Sequence, residues 1–195
     1  MKTKHPSPRV LVAEVKRALD AWQPSDKHSP LNETLELLAD GRGYVSSGIY
    51  LVIADTVRLV AHSGPTPVGD RVVFGEGSVG SAAKNGITKV KDIAFNAPNR
   101  EPELAVPIKL AGRVLGVFHV RSSRLAPSDN ILVHEAAHLI ARFLTSKGKR
   151  LVRKERESVA VAIAESATKP YRATSDKNPA ETNLRRAAAG EASRA

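Results

Sequence analysis

The sequence has 195 residues, of which 42% are hydrophobic and 4% aromatic, with a formal net charge of +10 and no cysteine. This length suits one domain of ordinary size, whose core must be built mainly from Val, Ile, Leu and Ala. The absence of cysteine excludes disulfides, thiolate metal sites and a cysteine nucleophile, and it suits a reducing cytoplasm. No apolar run approaches the ~18 residues of a membrane helix, so no membrane partner is predicted.

The chain begins with two predicted helices. Residues 9–22 repeat apolar side chains with a helical period and carry charge on the other face. Residues 31–39 form the second helix, which ends near Gly43 because glycine suits the position after a helix. We expect residues 1–29 to be an N-terminal helix and loop that precede a domain of residues 30–146.

The period changes to that of strands from residue 44 onward. Strands are predicted at residues 44–54, 56–62, 71–74 and 87–90. Three glycines at residues 75–80 precede small helix formers and predict a tight turn into a short helix, with Ser78 as a candidate cap. A phosphate-binding loop is the alternative, but the spacing is one residue short of G-x-G-x-x-G and the βαβ context is missing.

Residues 103–120 form two apolar runs with a short polar link and predict the central hairpin of a sheet. Pro107 has no amide N–H, so it belongs at an edge, a strand start or a bulge. A long amphipathic helix is predicted at residues 127–146. This order of elements predicts an α+β fold, with a mainly antiparallel sheet and the terminal helices packed together on one face.

His134 and His138 belong to an H-E-x-x-H sequence, in which two histidines one helical turn apart bind zinc and Glu135 acts as a general base. On a helical projection both histidines fall opposite the apolar stripe, and no histidine follows as a third ligand. An exposed pair, or a weak metal site at a dimer face, is therefore favoured over a zinc hydrolase.

The positive charge is concentrated at the C-terminal end. Residues 147–195 carry 12 basic and 6 acidic side chains. We expect a basic extension that is partly helical and then disordered, because its last part has no apolar period. A nucleic-acid partner would contact this extension, although it has neither interleaved aromatic residues nor a helix-turn-helix pattern.

Several short motifs follow one another in a fixed order. They are GIYL at residues 48–51, RVVFGEG at 71–77, VGSAA at 79–83, DI at 92–93, ELAVPI at 103–108 and GV at 116–117. Over residues 30–146 this series resembles GAF domains. The resemblance implies a central antiparallel sheet, a ligand pocket on one face, and a helical layer on the other that often mediates dimerisation.

Within that family the pattern is most similar to the free methionine-(R)-sulfoxide reductases. Those enzymes have a cysteine in the Gly-rich turn, where this chain has Val79, and their other reactive cysteines are missing too. Reduction through a thiolate and a resolving thiol therefore cannot operate here. Glu103 keeps an acid of the family, whereas His119 and Arg121 stand where the enzymes have acidic residues, which suits an anionic ligand better.

The resemblance implies five pocket residues, each of which could equally be a surface or structural residue. They are Tyr50, Arg71, Asp92, Glu103 and His119.

These observations favour a non-catalytic sensory or regulatory module. It would bind a small polar or anionic ligand, need no cofactor, and form a homodimer through its first and last helices. One alternative is an interaction protein with a vestigial pocket and a basic tail for nucleic acid or an acidic partner. The other is an enzyme, either a zinc hydrolase using His134, Glu135 and His138 or a reductase relative with different chemistry.

Overall fold

The protein combines helices with one antiparallel sheet, in a computed structural model that describes residues 6–26, 28–65, 68–91 and 101–147. The elements in chain order are α1 Pro8–Ala21, α2 Pro30–Arg42, β1 Ser46–Ile53, β2 Thr56–Ser63, β3 Arg71–Val73, α3 Gly77–Asn85, β4 Lys89–Lys91, β5 Glu103–Leu110, β6 Arg113–Arg121 and α4 Pro127–Ser146. This order confirms the predicted α+β class.

The sheet has six strands in the order β3-β2-β1-β6-β5-β4, and every neighbouring pair is antiparallel. The hairpin of β5 and β6 lies inside the sheet, as predicted. Pro107 pairs with Val117 of β6, but β4 reaches only Glu103 to Ala105 on the other side of β5. At Pro107 the strand is therefore a local edge of the sheet, where a missing N–H costs no ladder hydrogen bond.

The main core lies between the sheet and a layer formed by α1, α2 and α4. Phe118 and Val120 of β6 point into it, as do Leu11 of α1, Leu35 of α2 and Ile140 of α4. Each such side chain contributes about 1.5–3 kcal/mol when it is fully buried. The helical layer therefore covers one face of the sheet, as expected, and α1 shares its core. The boundary at residue 30 stays a prediction.

Proline and glycine set the helix ends. The three long helices α1, α2 and α4 each begin with proline, whose fixed φ and missing N–H suit the first helical position. Gly43 and Gly86 follow α2 and α3 with φ of 69° and 63°, in the left-handed region that glycine adopts without strain. The predicted role of Gly43 is confirmed.

A buried carboxylate fixes the start of α4. Asp129 accepts hydrogen bonds from Nε of Arg42 at 2.7 Å, from the Tyr44 hydroxyl at 3.0 Å and from the backbone N–H of Ala126 at 2.6 Å. The pKa of Arg42 is raised, first because it donates to Asp129, and the pKa of Tyr44 is raised, first because burial disfavours its ionised form. These contacts join the end of α2 to α4.

The far end of α4 is joined to α1. Nζ of Lys147 donates to the carbonyl oxygens of Asp20 at 2.8 Å and Trp22 at 3.2 Å. A cation suits this place because carbonyls at a helix C-terminus carry partial negative charge. The aromatic rings of Trp22 and Phe143 pack edge to face beside this contact.

Two predicted strands begin two residues too early, and the strands predicted at residues 56–62 and 71–74 differ by one residue at their ends. The strand predicted at residues 44–54 runs from Ser46 to Ile53, because residues 44 and 45 connect α2 to the sheet and Ala54, with φ of 55°, belongs to the turn into β2. The strand predicted at residues 87–90 is displaced to Lys89–Lys91, because Gly86 ends α3 and the next residues are needed to reach the sheet.

The basic extension predicted at residues 147–195 lies outside the described residues, apart from Lys147. Within the described part of the chain, no helix is both long and apolar enough to cross a membrane.

Candidate functional site

The face of the sheet opposite the main core is covered by α3. A second, smaller cluster of buried side chains lies here: Tyr50, Val57, Val72, Val79, Ala82, Ala83, Ala105 and Val117. Val79, at the position where the reductases have cysteine, is one of these packed residues. Because side chains alternate along a strand, Glu103 and His119 share this face with Ala105 and Val117.

His119 is completely buried on this face. It lies on β6 between Gly48 of β1 and Ala105 of β5, two small residues that leave room for its ring. Neither ring nitrogen has a hydrogen-bond partner among the residues that the structure describes. Leaving a buried donor or acceptor without a hydrogen bond costs about 1–3 kcal/mol, so an imidazole in this state is costly.

Glu103 is the nearest charged group to that ring. Its Oε2 lies 3.7 Å from Nε2 of His119, too far for a hydrogen bond, and accepts one from the Ser78 hydroxyl at 3.0 Å. The pKa of Glu103 is lowered to about 2, first by the His119 ring and then by Ser78 and Lys91, against the opposing effect of burial. The carboxylate is therefore ionised at neutral pH and can accept a hydrogen bond from a ligand.

Two hydroxyl groups lie on the same face of β1. Tyr50 is fully buried, and burial is the first cause that raises the pKa of its phenol to about 12. Its hydroxyl faces the backbone of Val68 without reaching hydrogen-bond geometry. The Ser46 hydroxyl is also buried and makes no hydrogen bond within the described residues. Both hydroxyls can donate to a ligand or accept from it.

The structure brings together three of the five predicted pocket residues: Tyr50, Glu103 and His119. Arg71 is exposed on the short edge strand β3, where Val72 faces the cluster and Arg71 points the opposite way. Asp92 lies outside the described residues.

Two further residues belong to the site. Ser46 precedes Tyr50 by four positions, so strand alternation alone would have placed both on one face. Ser78 was predicted to cap α3, and this is wrong: the helix begins after Glu76, and the Ser78 side chain bonds Glu103 instead. No local pattern signals a bond between residues 25 positions apart in the sequence.

This arrangement is suited to binding. Ser78 donates to a carboxylate whose pKa of about 2 makes it a weak base at neutral pH. A serine nucleophile needs a base of higher pKa within hydrogen-bond reach, and its bond here goes to Glu103. The buried hydroxyls, imidazole and carboxylate instead offer donors and acceptors at fixed positions.

The H-E-x-x-H sequence lies on α4, on the other side of the sheet. His134, Glu135 and His138 are all exposed, whereas Leu132, Val133 and Ala136 point into the core. Among the described residues, no three His, Asp or Glu side chains are grouped closely enough to hold a metal ion.

Comparison with solved structures identifies the fold. The free methionine-R-sulfoxide reductase of Neisseria meningitidis, in complex with its substrate, matches with a TM-score of 0.63 and 24% identity, covering 76% of this chain and 99% of that one. A GAF domain from A. aeolicus in an inactive state matches with a TM-score of 0.60 and 21% identity, over 71% of this chain and 95% of that one.

The GAF domain of an Acinetobacter phosphoenolpyruvate-protein phosphotransferase gives a TM-score of 0.60 at 16% identity, over 70% of this chain and 92% of that one. No protein-family model matches the sequence, and no curated protein is similar to it. At this level of identity the matches establish architecture. The chain has the GAF fold that its sequence motifs predict.

Proposed function

We propose that this chain is a non-catalytic sensory or regulatory GAF module that binds a small polar ligand between α3 and the sheet. The observation that carries the proposal is His119, which is fully buried beside an ionised carboxylate and whose ring nitrogens have no hydrogen-bond partner in the described part of the chain. Buried polar groups in native proteins nearly always have a hydrogen-bond partner, and the exceptions are found most often at functional sites, where a ligand can supply the missing partner.

The groups around His119 indicate the chemistry of the ligand. Glu103 offers an acceptor oxygen, whereas His119, Tyr50 and Ser46 can each donate a hydrogen bond. A small molecule with an ammonium or amide donor at one end and an anionic or carbonyl acceptor at the other would satisfy both sets. Amino acids have this pattern. The Neisseria reductase of the same fold, which was solved with its substrate, supports a ligand of this class.

A thermal-shift screen followed by calorimetric titration tests the proposal. The panel contains the common amino acids, methionine sulfoxide and small mono- and dicarboxylates. We expect at least one compound to raise the melting temperature of the protein and to bind at one molecule per chain. His119→Leu should abolish that binding, whereas His28→Leu, at an exposed histidine in the loop before α2, should leave it unchanged. A panel without any stabilising compound, or equal binding to His119→Leu, would contradict the proposal.

We further infer that the module self-associates through α1 and α4. A hollow on the outer side of these helices is lined in part by Lys16, Asp20, Leu139 and Arg142, and a second chain could contact these side chains there. Light scattering over a concentration series measures the association, and a mass of one chain throughout would exclude a stable dimer.

The second candidate function is an interaction protein whose basic extension binds nucleic acid. The charge distribution favours it, since residues 147–195 carry twice as many basic as acidic side chains. Truncation after Ser146 provides the test. Salt-sensitive binding of single- or double-stranded nucleic acid should be lost with the extension, and binding that survives truncation would refute this role.

A further inference from the structure

His134 and His138 are not used by the proposed ligand site. They lie one turn apart in α4, a helix of 20 residues, and both are exposed. Histidines at i and i+4 point in the same direction from a helix and can bind one metal ion together. The residues around the pair decide whether it can bind a metal ion.

The pair lies at the groove between α4 and α1. A hollow of about 300 Å³ is lined by both histidines, by Glu135, and by the apolar side chains of Val12 and Leu139. The carboxylate of Glu135, next to His134 in the chain, compensates part of the charge of a cation bound there. The hollow is open to solvent, so an ion or a second chain can reach it.

The ring of His134 is held in one orientation. Its Nε2 lies 2.9 Å from the hydroxyl oxygen of Thr88, just before β4. The hydroxyl can donate to Nε2 or accept from it, so the contact orients the ring in either tautomer. When Nε2–H donates to the hydroxyl, Nδ1 carries the lone pair that a metal ion requires.

One chain does not complete the site. Structural zinc takes four ligands in a tetrahedron, and in the described ranges no three His, Asp or Glu side chains, Glu135 included, are grouped closely enough to hold a metal ion. We propose that two copies of this chain bind one Zn²⁺ between their α4 helices, with His134 and His138 of each copy as its four ligands. A two-fold axis through the ion brings the same pair from both copies together, as an isologous contact requires.

An exposed apolar side chain on the same helix supports this choice of partner. Ile131, one turn before His134, is 60% exposed. A large apolar side chain of this kind is buried when like helices pack against each other. The inference does not depend on a ligand at His119.

The test uses the full chain without an affinity tag. Titration with ZnCl₂ should give one zinc per two chains, and Co²⁺ in its place should give the strong visible absorption of a tetrahedral site. Zinc at about 100 times its dissociation constant should tighten the dimer about 100-fold. Sedimentation velocity measures this change, and a chelator should reverse it.

Three variants distinguish the site from incidental binding. His134→Ala and His138→Ala should each remove the effect of zinc on association, whereas His28→Ala, at an exposed histidine in the loop before α2, should leave it unchanged. One zinc per chain without a change in association would overturn the shared site. So would a zinc effect that survives in either α4 variant.

Discussion

Replacing His119 by leucine should make the ligand-free protein more stable. The imidazole is fully buried, and within the ranges that the structure describes neither of its nitrogens has a hydrogen bond. Leucine has a similar volume and no polar atoms, so it removes the unpaired groups while still filling the space beside Gly48 and Ala105. A residue kept for ligand binding at the expense of stability should behave in this way.

The expected gain is modest because several effects oppose one another. Each unpaired buried polar group costs about 1–3 kcal/mol, so relieving two of them could return several kcal/mol. Against this, Glu103 loses its neighbour at 3.7 Å, and the different shape of leucine introduces about 1 kcal/mol of packing strain. A net increase of about 1–2 kcal/mol in the free energy of unfolding corresponds to a rise of about 2–8 °C in melting temperature for a domain of this size.

Urea unfolding and calorimetry, both without ligand, measure the change. His62→Leu is the matched control, and its effect should stay within about 0.5 kcal/mol because that side chain is exposed. Destabilisation by more than about 1 kcal/mol in His119→Leu would refute the reasoning. It would mean that enclosed water or another group already satisfies the imidazole in the free protein, and His119 would then no longer indicate a ligand.

Three further substitutions test other parts of the structure. Asp129→Ala leaves the guanidinium of Arg42 without its partner and should cost about 3–5 kcal/mol in urea unfolding, since the two side chains are 4% and 14% exposed. Glu103→Gln should remove stability that the wild type has above pH 4.5 and loses as pH falls towards 2, because folding lowers the pKa of Glu103. The lowered pKa corresponds to a stabilisation of the folded protein by at most about 3 kcal/mol. Because the Glu103 side chain is 22% exposed, solvent screening reduces the expected loss of stability to about 1–2 kcal/mol. Gly116→Ala should cost at least about 1–3 kcal/mol, because a Cβ there would collide with the Tyr50 carbonyl oxygen of β1.

Each of these has its own control. A Tyr44→Phe cycle with Asp129→Ala separates the phenol from the guanidinium, and a cost below 1 kcal/mol for Asp129→Ala would show that the ion pair is not stabilising. Wild type and Glu103→Gln with parallel stability profiles between pH 7 and pH 3 would contradict the lowered pKa. Ser123→Ala, at an exposed position after β6, is the reference for Gly116→Ala, and equal stability of the two would mean that the strands can separate without cost.

The fold was largely predictable because local signals and long-range packing agree. Pro127 and the apolar stripe after it predict α4 with its observed bounds, and Gly43 marks the end of α2. The motifs from residue 48 to residue 117 add the order in which strands are joined. The prediction was least accurate at Tyr44 and Ile87. Both residues lie in connections from a helix to a strand, where the alternation of apolar residues does not mark the start of the strand.

The site was predictable only in part. Strand alternation places Glu103 and His119 on one face once the hairpin is recognised, and the family pattern adds Tyr50. The bond of Ser78 to Glu103 depends on how α3 lies across the sheet, which no local pattern contains. The unpaired state of His119 likewise depends on its small neighbours across two strands, and these become known only with the register.

The contact of Lys147 with the carbonyl oxygens of Asp20 and Trp22 ties the end of α4 to the end of α1. The bond to Asp20 is exposed to solvent, so water can take the place of either partner and this bond can open and close at little cost. A cut in the chain after Ser146 would remove Lys147 and with it this tie, and the packing of Trp22 against Phe143 would then hold the two helix ends together.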